Sequence, residues 1–246
     1  MICSVYMGGH PVTDMVQELR VRQSAHCIYR EFDLTFHNWV AVDLAARWDI
    51  FASYDAALPH AMCPIRQGVV PPDRPPEFGA GGGPMRVRVQ GYDEVWLMQR
   101  RGPRRALVMV GDRSEVAEAV AGVGSGGLGR FVVYSGLGTL HTTIRQLCHL
   151  AGFNAELRIP DMELRPQVVM PSTSYWTAAK SLSDCVAAEL FYNRTTNTVI
   201  FADPLEWEVT GDTVMTIPTD TIVEMVAVAQ PYRTPAGLVV QFPRVA

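Results

Sequence analysis

The sequence predicts a mixed α+β protein, mainly an antiparallel, barrel-like set of strands, with an α/β part that contains two helices. Three observations predict this class. Short segments of strand character, bounded by turn residues, occur towards both ends of the chain. Two segments in the middle repeat apolar residues every three or four positions, as a helix does. Of the 246 residues, 48% are hydrophobic and 19% are charged, which is typical of a folded chain.

The N-terminal part contains the clearest strand signals. Phe32, Leu34 and Phe36 alternate with polar residues, so one face of the predicted strand is apolar and the other is charged. The run 48–54 repeats this pattern. The stretch 71–84 is dominated by proline and glycine, and it predicts a surface loop or a crossing between domains that cannot continue a sheet.

Two helices are predicted in the middle of the chain. The first lies near 139–152, where Leu140, Ile144 and Leu147 fall on one face. The second is expected over 175–191, after a polar run of serine and threonine that suits a helix start.

The remaining strands are predicted close to the C-terminal end of the sequence. Residues 193–197 indicate a hairpin turn that leads into a strand. The resulting division has three parts: a barrel-like part with its linker over 1–84, a mixed α/β part over 85–205, and strands over 206–246 that return to the barrel-like part.

Charge and composition exclude several classes of protein. The net charge is −4 at pH 7, without a basic stripe along the chain, so no specific nucleic-acid binding is predicted. No apolar run reaches the roughly 20 residues that a membrane-spanning helix needs, and the first residues lack the pattern of a secretory signal. The five cysteines show no metal-binding spacing and are interpreted as reduced thiols.

The histidines and the cysteines do not predict a catalytic or metal site. His141 and His149 are eight positions apart on the first predicted helix, too far apart to share one metal ion without a third ligand. Cys148 and His149 are adjacent and therefore point in different directions. We expect Cys148 in the core and His149 on the surface.

Three other patterns also favour ordinary structural roles. The glycine-rich run 124–129 lacks the ending of a phosphate-binding loop and is interpreted as a turn. Nothing in the sequence indicates that the two carboxyl groups of Asp49/Asp55, or of Asp161/Glu163, differ in pKa, as a general acid and a general base would. No catalytic, cofactor-binding or metal-ligating residue is assigned, no cofactor is predicted, and the chain is not predicted to be an enzyme.

One dense basic cluster occupies residues 100–105, with four arginines among six residues. A groove for single-stranded nucleic acid would require aromatic residues between these arginines, and none lies there. A polar contact with a neighbouring subunit is at least as well supported as a contact with nucleic acid.

Three stretches resemble the tail hub proteins of tailed phages and of related contractile injection systems. Residues 30–36 are similar to an early barrel strand of these hubs, and residues 86–98 to their return strand and the turn after it. The third stretch, 174–204, resembles the helix, hairpin and strand of a hub, and the helical segment 139–153 its companion helix. Together they cover about half of the chain on ordinary strand and helix patterning.

The resemblance implies a structural virion component. In that family, subunits form a ring whose barrel-like domains imitate the symmetry of the tail tube, with α/β domains outside. We therefore expect a homo-oligomer, with a trimer favoured over a hexamer, that joins the tail tube to the tail tip and contacts other tail proteins. Such a protein assembles in the host cytoplasm, and its lumen would pass DNA during genome ejection.

Two alternatives remain at the level of sequence. The chain could be another ring-forming tail protein, such as a distal tail protein or a connector. It could also be a hydrolase with an unrecognised site, in which His26 or His37 acts with Asp33.

Overall fold

Fourteen strands and four α-helices make up the described part of this computed structural model, which covers residues 2–24, 27–37, 43, 45–53, 62–79, 86–121 and 131–203. The strands are β1 (Ile2–Met7), β2 (His10–Pro11), β3 (Val16–Arg22), β4 (Glu31–Phe36), β5 (Trp48–Ser53), β6 (Met62–Gly68), β7 (Glu77–Gly79), β8 (Arg86–Tyr92), β9 (Leu107–Met109), β10 (Val132–Tyr134), β11 (Asn154–Arg158), β12 (Gln167–Val169), β13 (Glu189–Asn193) and β14 (Thr198–Ala202). The helices are α1 (Trp96–Arg100), α2 (Val116–Ala121), α3 (Leu140–Ala151) and α4 (Tyr175–Ser183).

Two antiparallel sheets form the first half of the fold. Their strand orders are β2-β1-β5-β6 and β3-β4-β8-β7. The predicted alternation in β4 is confirmed, because Phe32, Leu34 and Phe36 are fully buried while the residues between them face outward. An alternating strand buries one face only, and this places its partner sheet on the apolar side.

The two sheets share one hydrophobic core. Trp48 and Ile50 from the first sheet lie in the same cluster as Phe32, Val87 and Val89 from the second. A backbone bridge between Val69 and Tyr92 joins the sheets at one corner. In the part of the chain that the structure describes, no ladder joins the opposite edges, so the sheets form an open pair and a closed barrel is not confirmed.

The proline- and glycine-rich stretch differs from its prediction. It contains β7, in which Phe78 pairs with Val87 of β8. The prediction that 71–84 cannot join a sheet is therefore wrong. Proline has no N–H to donate, but β7 is a short edge strand that follows Pro75 and Pro76, and proline is tolerated beside an edge.

The second half of the described chain is an α/β arrangement around another core. Parallel and antiparallel pairs occur together, in the strand orders β10-β9-β12 and β11-β14-β13. Helices α3 and α4 pack on each other, and α3 also packs on β11. The largest fully buried side chains of this core are Met98, Met109, Leu140, Ile144, Leu147 and Phe201.

The predicted helix near 139–152 is confirmed as α3. The Thr139 hydroxyl accepts a hydrogen bond from the backbone N–H of Thr142, and the Thr142 hydroxyl accepts one from the backbone N–H of Thr139. Gly152 ends the helix with a φ of 94°, a left-handed conformation that glycine adopts without steric penalty.

The second predicted helix is shorter than expected. Helix α4 ends at Ser183, and the prediction that it reaches residue 191 is wrong. Ala187, with a φ of 52°, reverses the chain, and β13 then pairs antiparallel with β14. The apolar residues Leu190 and Tyr192 fit a helical face in sequence, but they also fit the two-residue period of a strand. The predicted turn 193–197 and strand 198–202 are confirmed.

The division of the chain at residues 84 and 205 stays a prediction. Strand β8 begins just beyond the first boundary and pairs with β4 of the N-terminal part. The strands predicted within 206–246 lie outside the described residues. Among the described helices, none is both long enough and apolar enough to cross a lipid bilayer.

Candidate functional site

A charged surface covers the outer face of strands β3, β4 and β8. At its centre, the guanidinium of Arg88 donates two hydrogen bonds to the Asp33 carboxylate, from Nε to Oδ1 at 2.9 Å and from Nη2 to Oδ2 at 2.5 Å. These bonds lower the pKa of Asp33 and raise that of Arg88. The pair therefore stays ionised across the physiological pH range.

Further ion pairs surround this centre. Arg20 contacts Glu18 at 2.5 Å, and Arg88 also reaches Glu77 at 3.4 Å. Four of these side chains, Glu18, Arg20, Asp33 and Arg88, border a shallow depression of about 180 Å³ together with Thr35. Exposed ion pairs contribute little to stability, typically about 0 to 1 kcal/mol each. The surface is polar, and its paired charges suit a polar protein contact better than attraction of a highly charged ligand.

Two residues of the hydrolase alternative, Asp33 and His37, do not come together. Asp33 and His37 are four positions apart on one extended segment, which corresponds to about 13 Å along a strand. Asp33 is held by Arg88, and its lowered pKa makes it a poor general base at neutral pH. His26 lies outside the described residues.

A buried ion pair joins the two cores. Asp93, directly after β8, is fully buried, and Arg194, in the turn between β13 and β14, is only 9% exposed. Arg194 donates to Asp93 Oδ2 from Nε at 3.0 Å and from Nη2 at 2.6 Å. It also donates to the backbone carbonyl groups of Ile28 and Tyr192. Arg66 of β6 donates to the carbonyl of Arg194 at 2.7 Å, so four distant segments meet at this point.

The attraction of Arg194 does not fully compensate for the burial of the Asp93 carboxylate. Asp93 Oδ1 is buried and has no hydrogen-bond partner of regular geometry among the described residues, although the backbone N–H of Arg30 is near enough to lower the pKa of this carboxyl group. Burial outweighs the attraction of Arg194 and raises the pKa of Asp93 to about 6. No periodicity indicated this contact, because its two residues are 101 positions apart.

An aromatic column supports the basic cluster at residues 100–105. The rings of Tyr92 and Trp96 stack with centroids 5.0 Å apart, and the guanidinium of Arg100 lies 5.1 Å from the centroid of Trp96. The sequence shows no aromatic residue between these arginines, but helix α1 brings Trp96 beneath Arg100 at a spacing of four residues. The pattern within residues 100–105 did not indicate this partner, because Trp96 precedes that run in the sequence.

The histidine and cysteine predictions for α3 are confirmed. Cys148 is fully buried, and burial raises the pKa of its thiol to about 12, so it is not a thiolate at neutral pH. His149 is exposed. The Nε2 atom of His141 lies 2.7 Å from the carbonyl oxygen of Ile159, and Asp161 accepts a hydrogen bond from the backbone N–H of His141. His141 and Asp161 therefore fasten the start of α3 to the loop that follows β11.

The other sequence patterns have ordinary structural contacts or lie outside the described residues. Asp49 accepts hydrogen bonds from the backbone and side chain of Gln67, while Asp55 and the run 124–129 lie outside the described residues. Glu163 forms a backbone bridge with Thr139. Within the described ranges, no group of three or more histidine, cysteine, aspartate or glutamate residues is arranged to hold a metal ion.

This arrangement of paired sheets and α/β layer matches tail proteins of known structure. The tail protein from Neisseria meningitidis MC58 matches with a TM-score of 0.53 and 12% identity, over 81% of this chain and 50% of its own. The prophage MuSo2 43 kDa tail protein from Shewanella oneidensis matches with a TM-score of 0.51 and 9% identity, over 82% of this chain and 54% of its own. This chain shares its fold with these two tail proteins.

The likeness is one of fold rather than of sequence. At 12% and 9% identity, the two structures share the layout of strands and helices with this chain but few side chains. This chain spans about half the length of both tail proteins. No protein-family model and no curated protein matches the sequence.

Proposed function

We propose that this chain is a structural subunit of a phage tail, a tail or baseplate hub protein that forms a ring and joins the tail tube to the tail tip. The observation that carries the proposal is the fold likeness to two tail proteins, which extends over 81% and 82% of this chain. A likeness that includes both the sheet pair and the α/β part reflects the whole layout rather than one common motif.

The surfaces of the described chain support a role in assembly. A ring subunit needs contact area for its neighbours, with some apolar side chains and few unpaired charges. Several large apolar side chains are exposed, namely Met15, Phe78, Phe131, Val133 and Met162. The outer face of β3, β4 and β8 offers paired charges next to the open edge of β3.

The proposed partners follow from this role. The subunit associates with copies of itself, as a trimer in the favoured arrangement, and with tube, distal tail, tip or fibre proteins of the same virion. Its place is the phage tail, assembled in the host cytoplasm. The proposal requires no cofactor and no catalytic residue.

Native mass spectrometry of the purified protein tests the proposal. We expect a closed oligomer of three copies over a wide range of protein concentrations. Six copies would instead identify a distal tail or connector ring. Monomers at every concentration would overturn the ring hypothesis.

A further inference from the structure

We infer that the basic loop formed by residues 100–105 binds the acidic segment 206–224 of a neighbouring copy of this chain, an inference that rests on the proposed ring. The loop carries four of the 21 basic residues of the protein within six positions. Arg100, Arg101, Arg104 and Arg105 are all exposed. Like charges at this density repel one another, so the loop is stabilised by an acidic partner.

The backbone of the basic loop is held in place, which makes it a prepared surface. The carbonyl of Arg101 accepts a hydrogen bond from the backbone N–H of Tyr175 at 2.9 Å. A Cβ atom on Gly102 would lie 2.6 Å from the carbonyl oxygen of Thr173, so the chain passes very close to that segment. Pro103 is buried. A loop that is already ordered loses little conformational entropy when a partner binds.

Within the described residues, no arginine of the basic loop forms a salt bridge, although the charge of Arg101 acts on the nearby carboxyl group of Glu94. The salt bridges of the described residues are formed by other basic residues, such as Arg88 and Arg194. Arg100 lies over Trp96, and Arg101 donates to the carbonyl of Ala151 at 3.4 Å, but neither contact neutralises charge. The charge of this loop is therefore available to a partner.

The sequence offers one strongly complementary segment. Residues 206–224 contain five acidic residues and no lysine or arginine, namely Glu206, Glu208, Asp212, Asp220 and Glu224. Opposite charges steer association and fix its register, and their contact is weakened by salt. A ring repeats the same contact between each pair of neighbours, so one loop and one segment per chain are sufficient.

Charge complementarity favours a protein partner over nucleic acid. A nucleic-acid surface neutralises many phosphates over an extended basic footprint, and here the basic charge is concentrated in one loop of a protein with net charge −4. The acidic segment belongs to the same chain and is present at the same concentration as the loop.

Charge reversal tests the inference. The double variant Arg104→Glu/Arg105→Glu reverses the loop, and Glu206→Arg/Glu208→Arg reverses the segment. We expect each variant to weaken self-association at least about tenfold in native mass spectrometry and in sedimentation velocity. The matched control Arg113→Glu/Arg145→Glu changes the same amount of charge at two exposed positions and should leave association unchanged.

Mixing the two reversed variants decides whether the contact lies between copies. In a mixed pair, the reversed loop of one variant meets the reversed segment of the other, so mixed dimers should form where neither variant associates alone, whereas a closed ring of three always keeps one mismatched contact. Weakened association without rescue by mixing would place the contact within one chain and overturn the inference. An oligomer that tolerates loop reversal as well as it tolerates the control would also overturn it.

Two further outcomes separate this inference from the proposed ring. If the wild-type protein is monomeric, the proposed ring is overturned, and the contact between copies is overturned with it. If the wild type forms a ring and a labelled DNA duplex binds to it but not to the loop variant, while the ring is unchanged, the loop is a nucleic-acid contact instead. Circular dichroism of each variant confirms that it has folded.

Discussion

Asp93 is the residue whose environment departs most from that of an exposed side chain. Its carboxyl group is fully buried, one oxygen accepts two hydrogen bonds from Arg194, and the other has no hydrogen-bond partner of regular geometry among the residues that the structure describes. Removing an ionised carboxylate from water is unfavourable unless its partners compensate for the lost hydration. At Asp93 the compensation is incomplete, and the neutral form is favoured more than in an exposed aspartate.

This environment predicts how stability depends on pH. Burial raises the pKa of Asp93 from 3.8 to about 6, so the folded protein binds this proton more tightly than the unfolded chain does. The contribution of Asp93 is therefore fully present below about pH 3, under the unfolded-state pKa, and is lost as the pH rises through about 6. In urea titrations, the free energy of unfolding of the wild type relative to Asp93→Asn should fall by about 3 kcal/mol between about pH 3 and pH 7.

The variant Asp93→Asn is the reference for the wild type, because asparagine does not titrate. Above about pH 7 the difference between the two proteins should be constant. A difference that grows in favour of the wild type as the pH rises would mean that the attraction of Arg194 outweighs burial, and it would contradict the prediction.

Strand β8 shows how close packing at one element joins two sheets. Gly91 pairs with Phe32 of β4, and its neighbour Tyr92 bridges to Val69. A Cβ atom at Gly91 would lie 2.4 Å from the ring of Phe32 and 2.5 Å from the carbonyl oxygen of Val69. Glycine is required here because the backbone and the ring leave no room for a methyl group.

Gly91→Ala should therefore destabilise the protein. Overpacking in a filled core typically costs about 1 to 3 kcal/mol, and the backbone contact with Val69 places this site at the upper end. Gly79→Ala is the matched control, since the nearest atom to a Cβ at Gly79 is 3.9 Å away on the same sheet. Equal thermal midpoints for the two variants would refute the packing argument.

Helix α3 depends on its capping interactions at the element scale. Thr139→Ala removes the hydroxyl that accepts from the backbone of Thr142. The loss of such a cap costs about 1 kcal/mol, which chemical denaturation can resolve. Thr195→Ala, at an exposed turn position, should change stability by less than about 0.5 kcal/mol. A Thr139→Ala variant as stable as this control would show that the cap is not required.

At the scale of the whole molecule, the two larger cores of the described chain meet at Asp93 and Arg194. If copies associate as proposed, association and folding are linked, because only folded chains can bind one another. Differential scanning fluorimetry should then show a thermal midpoint that rises with protein concentration. A midpoint independent of concentration over two orders of magnitude would argue for a chain that acts alone.

Much of the local structure was predictable from the sequence. The alternation around Phe32 and Leu34 predicted β4, and the spacing of Leu140, Ile144 and Leu147 with glycine at the end predicted α3. The interpretation of Cys148 as a core residue was also confirmed. These signals were reliable because each depends on residues within a few positions of one another, where strand and helix periods differ.

The sequence by itself determined which segments form the principal strands and helices, the absence of a basic stripe, and the resemblance to tail proteins. Only the tertiary structure decided that β7 joins a sheet, that α4 ends at Ser183, and that Arg194 meets Asp93. These features depend on partners distant in sequence, such as Val87 for Phe78 and β14 for β13. Burial by remote segments determines their free energy, and short-range periodicity carries no information about it.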